Sequence, residues 1–466
     1  MNLRLLLICL LLPASATLVA CSGTDPDDDD VTPPRDDDDD GGDACDDDTE
    51  CSFTSGLEIC GDEGVCVQGD RNNSRDEAQL VEYNSAASLI IAPAGDVDWF
   101  RFNGTAGDLF RIATAADNPD SLDTVVTFYD AQGNEIAFND DFERVGSVPP
   151  NSQLFSGVAQ TGLHYFSVQD RRSWVNDPAD PPQGGLAYGY DVAIVRAGAG
   201  AGENIGAATE PDDEAADANA FDLPEYRINY NFGGVLQTVG DADWWAIDVA
   251  QAETLRLYGF PNSGSAGSTA MTVYLPDAVS PIGTWVNPGW EEDQRAWIPI
   301  LESGTYYVEV AEAGGGGGAD TWYFLHGAKN EPEEGLPVES EPNGSESPEA
   351  LALVSGPGNS EELTFWGRTH PSGDQDWFAL TGEADDRVTV QFERTLHGES
   401  QDVRVRIVAP DGSDVVDVPW DGDEEAPISL FPLTSSGEHH VVIEAPDGVA
   451  SGAGHYYQVR IGILHN

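Results

Sequence analysis

The stretch GDVDWF, Gly95 to Phe100, recurs as GDADWW at Gly240 to Trp245 and as GDQDWF at Gly373 to Phe378. The spacings are 145 and 133 residues, and other landmarks keep step with them. A β-rich run follows in each copy: TVVTFYDAQGNE from Thr124, TAMTVYLPD from Thr269 and DVRVRIVAPDGSD from Asp402. Next come TGLHYFSVQD, SGTYYVEVAE and SGEHHVVIEAPDG, whose glycines lie 67, 64 and 64 residues beyond the glycine of their hexapeptide. Each copy closes on an alternating run: GYDVAIVR from Gly189, TWYFLHG from Thr321 and HYYQVRIG from His455. Ordered landmarks at matched distances mark an internal repeat.

Within a copy the apolar period is two. Val403, Val405 and Ile407 share one face while Arg404 and Arg406 occupy the other, as a strand with one buried side requires. AQGNE at Ala131 and PDGSD at Pro410 supply glycine-containing turns. No stretch has helical spacing, so each copy is expected to be a β-sandwich. The sandwiches are placed at 69–197, 207–329 and 338–466. Between them lie a glycine-rich joint, Gly198 to Gly206, expected to be flexible, and a Glu/Pro-rich one, Asn330 to Glu341. The run Gly314 to Gly318 reads as a loop between two late strands. In each hexapeptide the second aromatic falls on the core face. Trp99, Trp244 and Trp377 fall on the other, either covered by the segment that leads into the copy or exposed as a platform.

The chain has 466 residues and a formal net charge of −64, and Lys329 is its only lysine. Such a charge excludes nucleic acid as a partner and disfavours adsorption to anionic lipid. An acidic surface suits an exported protein whose medium supplies counterions. The first residues agree. Arg4 precedes an apolar run, Leu5 to Leu12, too short for a permanent span. Leu18-Val-Ala-Cys21 then resembles the lipobox of bacterial lipoproteins, which implies a signal peptide over 1–20 and acyl chains on Cys21. Ser22 after the cysteine points to the outer membrane or cell surface of a Gram-negative cell. Residues 21–44 form an acidic linker, with Asp27 to Asp30 and Asp36 to Asp40 in unbroken runs. Self-repulsion predicts an extended, disordered spacer.

Cys45, Cys51, Cys60 and Cys66 follow with spacing C-x5-C-x8-C-x5-C. In an exported chain these read as two disulfides in a small module at 45–68, with three pairings open. Zinc is the competing reading, but it usually takes ligand pairs two residues apart.

The threefold pattern resembles the bacterial pre-peptidase C-terminal (PPC) domain, which is related to the collagen-binding domains of clostridial collagenases. The matching residues are the lead-in Glu341-Pro-Asn343, the G-D-x-D-W-F strand start, the hairpin with D-x-x-G and the late S/T-G-x-Y-Y strand. The second copy has Glu210-Pro-Asp212 at its lead-in, and the first departs with Gly69-Asp-Arg-Asn-Asn73. The first also carries an insertion around Trp174 to Pro182. The resemblance implies three tandem jelly-roll-like sandwiches, all β, and calcium held between the lead-in and the aspartate pair. Calcium takes six to eight hard oxygen ligands. The aligned candidates are Glu210, Asp212, Asp213, Asp241 and Asp243 in the second copy. In the third they are Glu339, Glu341, Asn343, Asp374 and Asp376; in the first, Asp70, Asn72, Asn73, Asp96 and Asp98. The alternative is that the aspartates only cap a turn.

No HExxH, GxSxG, Walker loop or Cys–His pair occurs, so no catalytic residue is assigned. The expected role is a surface lipoprotein, anchored to the outer membrane through Cys21, that binds an extracellular protein or polysaccharide. A structural spacer and an accessory subunit of a secreted peptidase are the alternatives.

Overall fold

A computed structural model describes residues 58–60, 66–68, 71–141, 151–185, 187–198, 205–223, 230–260, 263–288, 295–330, 336–393, 402–420, 429–446 and 452–466. Over these residues the chain is almost entirely β. The signal peptide, Cys21, the acidic linker, Cys45, Cys51 and Asp70 lie outside them. Of the cysteine module only a hairpin is described, Glu58–Cys60 with Cys66–Gln68. Its register sets the Cα of Cys60 opposite that of Cys66.

The described residues form three two-layered sandwiches. In the third, one sheet runs Glu349–Ala350, Gln375–Gly382, Gly437–Glu444, Val403–Val408, Asp414–Trp420. The other runs Val354–Ser355, Ser360–Arg368, Tyr456–Leu464, Arg387–Glu393, Ser429–Pro432. The second sandwich repeats this order around Ala242–Val249 and Trp322–Asn330, except at the edge of its second sheet. That edge is Ile205–Ala207, which precedes the lead-in and pairs in parallel, where the third has Val354–Ser355 paired antiparallel. The first sandwich is built around Val97–Gly104 and Gly189–Arg196, with four strands in its second sheet. Apart from hairpins such as Val403–Val408 with Asp414–Trp420, most neighbouring strands in a sheet come from distant parts of each copy.

The hexapeptide strand shows how the sequence produces this. Gly95, Gly240 and Gly373 have φ of +87°, +83° and +89°, a conformation open to glycine at no steric cost. From that turn the chain enters a strand whose burial alternates residue by residue. Phe100, Trp245 and Phe378 enter the three cores as expected. Trp99 and Trp244 are half-buried on the outer face, stacked on Tyr129 and Tyr274 of a sheet-mate with centroids 4.9 and 5.0 Å apart. Trp377 meets His440 edge-on, with the Arg406 guanidinium over its ring. Neighbours on the same sheet pack against these rings.

The sandwiches also pack on one another. Leu109, Phe155 and Val195 of the first form one buried cluster with Ile205, Trp322 and Phe324 of the second. At the end of the glycine-rich joint, Ile205–Ala207 adds to a sheet edge in parallel with Asn231–Gly233; residues 199–204 lie outside the described residues. At the next joint Ala453 belongs to the core cluster of the second sandwich, and Tyr456 packs against it. The run Gly314 to Gly318 lies between Gly304–Glu312 and Trp322–Asn330, as a loop should. The insertion in the first copy holds a single helical turn, Arg171–Val175.

Candidate functional site

The two aspartates of each hexapeptide do different jobs. The first caps the turn. Asp96 accepts the N–H groups of Ala92 and Val97 at 3.0 and 2.9 Å. Asp374 accepts those of His370 and Gln375, both at 3.0 Å, and Asp241 takes the N–H of Gln237. The second points inward from the strand: Asp98, Asp243 and Asp376 are each 0% exposed. A buried carboxyl needs partners, and in every copy one is a tyrosine of the closing strand. Tyr190 donates to Asp98, Tyr323 to Asp243 at 2.8 Å and Tyr457 to Asp376 at 2.7 Å.

The lead-in lies against this buried aspartate. The carbonyls of Asn72, Asp212 and Asn343 accept the N–H of Trp99, Trp244 and Trp377 at 2.7, 3.0 and 2.8 Å. In the second copy this bond sets Asp212, also 0% exposed, beside Asp243. Carboxylate oxygens of Glu210, Asp212 and Asp243 lie within 4.8 Å of one another, as do those of Glu210, Asp213 and Asp241. All five aligned acids thus gather around Glu210. Asp212 accepts from Asn219 at 2.5 Å, yet no donor reaches Asp212 Oδ1 or Asp243 Oδ1. Burial, then the neighbouring acids, push Asp243 up to about 8 and Asp212 up to about 7.

The third copy reaches a similar cluster with a different acid. Asn343 stands where the second copy has Asp212, and Glu339 supplies the missing carboxylate. Glu339, Glu341 and Asp376 bring oxygens within 4.8 Å of one another. Asn343 Nδ2 donates to Glu339 at 3.3 Å, and the N–H of Arg368 does so at 2.6 Å. Asp374 remains the turn cap beside the triad. The Tyr457 hydroxyl lies 2.7 Å from Asp376 and 3.0 Å from Glu339. A phenol has one proton, so with both acids ionised one contact is repulsive unless a retained proton or a cation relieves it. Burial, then Glu339, raises Asp376 to about 10; burial raises Glu339 to about 8. Asp376 Oδ1 and Asn343 Oδ1 are reached by no donor.

Oxygen only, several carboxylates, and buried oxygens with unspent lone pairs are the chemistry that a hard divalent cation takes, so these residues could hold one. A cation there would also neutralise acids that otherwise repel. The first copy differs. Asn72 is buried and Asn73 exposed, and among the described residues no acidic triad forms around Asp96 and Asp98.

The tyrosines escaped the sequence reading because an aromatic in an alternating strand reads as core. Their signal was position: each is the second residue of the aligned pairs Gly189-Tyr190, Trp322-Tyr323 and Tyr456-Tyr457. Two glycines escaped as well. Gly234 and Gly367 stand opposite Tyr323 and Tyr457 in register. A Cβ on Gly234 would lie 1.7 Å from Asp243 Oδ2, and one on Gly367 would lie 2.2 Å from the Tyr457 hydroxyl. The first copy has Leu89 opposite Tyr190.

The pairs also connect each site to a joint, because adjacent residues on a strand face opposite ways. Tyr323 turns inward to Asp243, while Trp322 seats among Leu109 and Phe155 of the preceding sandwich. Tyr457 turns inward to Asp376, while Tyr456 packs against the second sandwich. The first copy has Gly189 at this place.

No protein-family model matches the chain, and no curated protein matches it. Among solved structures, the pre-peptidase C-terminal domain of a collagenase from Bacillus anthracis is similar, at 12% identity with a TM-score of 0.19. That match covers 25% of this chain and 93% of that one. A periplasmic inhibitor of g-type lysozyme from Aeromonas hydrophila matches at 15% identity and a TM-score of 0.18, covering 25% and 93%. The tandem CBM51 modules of a family 98 glycoside hydrolase from Streptococcus pneumoniae match at 12% and 0.17, covering 50% and 83%.

Proposed function

We propose that the chain is a non-enzymatic surface lipoprotein whose three PPC-like sandwiches bind an extracellular protein or polysaccharide. In this reading Cys21 carries the lipid anchor to the outer membrane, and the acidic linker holds the sandwiches clear of it. Calcium fixes the lead-in to the buried aspartate in the second and third copies. Glu210, Asp212, Asp213, Asp241 and Asp243 hold it in one, and Glu339, Glu341 and Asp376 with the Asn343 side-chain oxygen in the other. The observation that carries this is the buried pair of Asp243 Oδ1 and Asp212 Oδ1, two carboxylate oxygens with no donor at hand. In this reading a cation supplies charge compensation, not a reaction step.

The apolar joints favour a second reading, a stiff spacer that binds nothing. One experiment addresses both. The soluble chain is tested against gelatin and purified cell-wall polysaccharides in calcium or EDTA, with hydrogen exchange followed in parallel. Calcium should protect Trp322–Asn330 and Tyr456–Leu464 but leave Gly189–Arg196 unchanged, and at least one probe should be retained. At a hundredfold excess over Kd the ion stabilises each site by about 2.7 kcal/mol. No protection by calcium removes the metal from the reading; no retained probe leaves the spacer.

A further inference from the structure

Beside their apolar seam the first and second sandwiches leave a cleft of about 620 Å³. We infer that this cleft is a binding site for a neutral, hydroxyl-rich ligand, a short oligosaccharide. The inference rests on the binding role proposed above and gives it a place and a ligand class. One wall is the edge strand Glu135–Asn139 of the first sandwich; Phe260, Ser265 and Asn287 of the second form the other. The volume lies within the range of pockets that enclose small ligands, about 300–1,000 Å³.

The lining offers the two things a sugar needs: ring faces for its C–H surface and directional partners for its hydroxyls. Phe138 and Phe260 are half-buried on opposite walls. Phe138 contacts Trp174, centroids 4.9 Å apart, and Trp174 stands 38% exposed. Trp174 belongs to the insertion found only in the first copy, which extends the aromatic surface outward from the cleft.

The polar groups have capacity left. Ser265 Oγ accepts the N–H of Trp322 at 2.9 Å and of Gly267 at 3.4 Å, which leaves its proton to donate. Asn287 Oδ1 accepts from Ser268 at 2.6 Å, which leaves its NH₂ group. Glu135 is exposed at the rim as an acceptor.

Other ligand classes fit less well. No lysine or arginine lines the cleft, and at −64 overall the chain repels anions. A peptide would have to pair with the edge strand. Gly264 already lies against that strand, where an added Cβ would stand 2.9 Å from the carbonyl oxygen of Ile136.

The test is isothermal titration of the soluble chain with cellohexaose, maltohexaose, xylohexaose and N-acetylchitohexaose, repeated on Phe138→Ala and Asn287→Ala. At least one sugar should bind, and each variant should weaken it about tenfold, equal to about 1.4 kcal/mol. Melting temperature checks that each variant is folded; Asn287 is exposed, so its variant holds the test if Phe138→Ala does not fold. Binding by none of the four overturns the inference, as does binding that Asn287→Ala and any folded Phe138→Ala leave unchanged. Retention of gelatin or polymeric polysaccharide by Asn287→Ala, with no hexaose effect, would sink the cleft while sparing the wider binding role. Loss of every probe in the unaltered chain would sink both.

Discussion

The second and first copies share one hexapeptide and one frame, yet only the second draws its acids together. In both, a glycine turns, a first aspartate caps, a second is buried against a closing-strand tyrosine, and an aromatic fills the core. What differs lies outside the hexapeptide. The second has Asp212 in its lead-in and Gly234 opposite its tyrosine, where the first has Asn72 and Leu89. The second also has Trp322 beside its tyrosine, where the first has Gly189. The duplicated motif is therefore a folding device, and the acid cluster is an addition that needs a lead-in carboxylate and space made by a glycine. The third copy supports this separation, since it keeps the glycine and regains the lost acid from Glu339 instead.

The largest effect that could break the comparison is on pH dependence. In metal-free protein, the second and third copies hold acids whose folded pKa is raised above the unfolded value by burial. Such a group contributes stability that is fully present below its unfolded pKa, 3.8 for Asp243, and is lost as pH rises through the folded value of about 8. Denaturation in EDTA should therefore show a loss of several kcal/mol between pH 5 and pH 8. Calcium should reverse the trend, because it binds the ionised carboxylates and displaces their protons. Native-state exchange locates the loss. The comparison fails if, once intrinsic rates are corrected, Gly189–Arg196 loses as much protection as Trp322–Asn330.

A second measurement bears on the joints. Trp322 is 3% exposed, wedged between two sandwiches, and its indole N–H donates to the carbonyl of Ser263 at 3.1 Å. Trp322→Gly gives the second copy the residue found at that place in the first. The cavity should cost about 3–5 kcal/mol, read by urea denaturation, and exchange should rise in both Leu109–Ala116 and Trp322–Asn330. The same change at half-buried Tyr456 should cost less. If only one sandwich responds to Trp322→Gly, the seam transmits nothing and each site acts within its own domain.

How much of this could be read beforehand follows from the kind of signal. Period-two alternation and a matched repeat located the strands, because burial of one sheet face leaves its mark on every second residue. Phe100, Trp245 and Phe378 were legible for that reason. The outer tryptophans were not, since the stacking of Trp99 on Tyr129 depends on which strands become neighbours. The same holds for Tyr323 and Gly234, separated from Asp243 by 80 and 9 residues and brought to it only by sheet order. The resemblance to the PPC domain aligned the five acids of the second copy, three in its lead-in and two in its hexapeptide, and the fold brings their carboxylates together. That Asp241 caps a turn while Asp243 is buried required the strand to be placed.

The smallest expected effect is the sharpest, because it sets the two copies against each other at one atom. Tyr323→Phe removes the donor to Asp243 Oδ2 and the acceptor for the Trp245 indole N–H, which Tyr323 takes at 2.7 Å. Leaving such buried groups unpaired should cost about 1–3 kcal/mol in EDTA. It also frees a second oxygen of Asp243, so calcium should restore more stability to the variant than it adds to the original. Tyr190→Phe exposes Asp98 to the same loss, but among the described residues no acidic triad forms around it, and calcium should not rescue it. Rescue of neither variant would mean that the buried aspartate is only an anchor for tyrosine in every copy. Rescue of both would make the first copy a site too, with its missing acid supplied from beyond the described residues, where Asp70 lies.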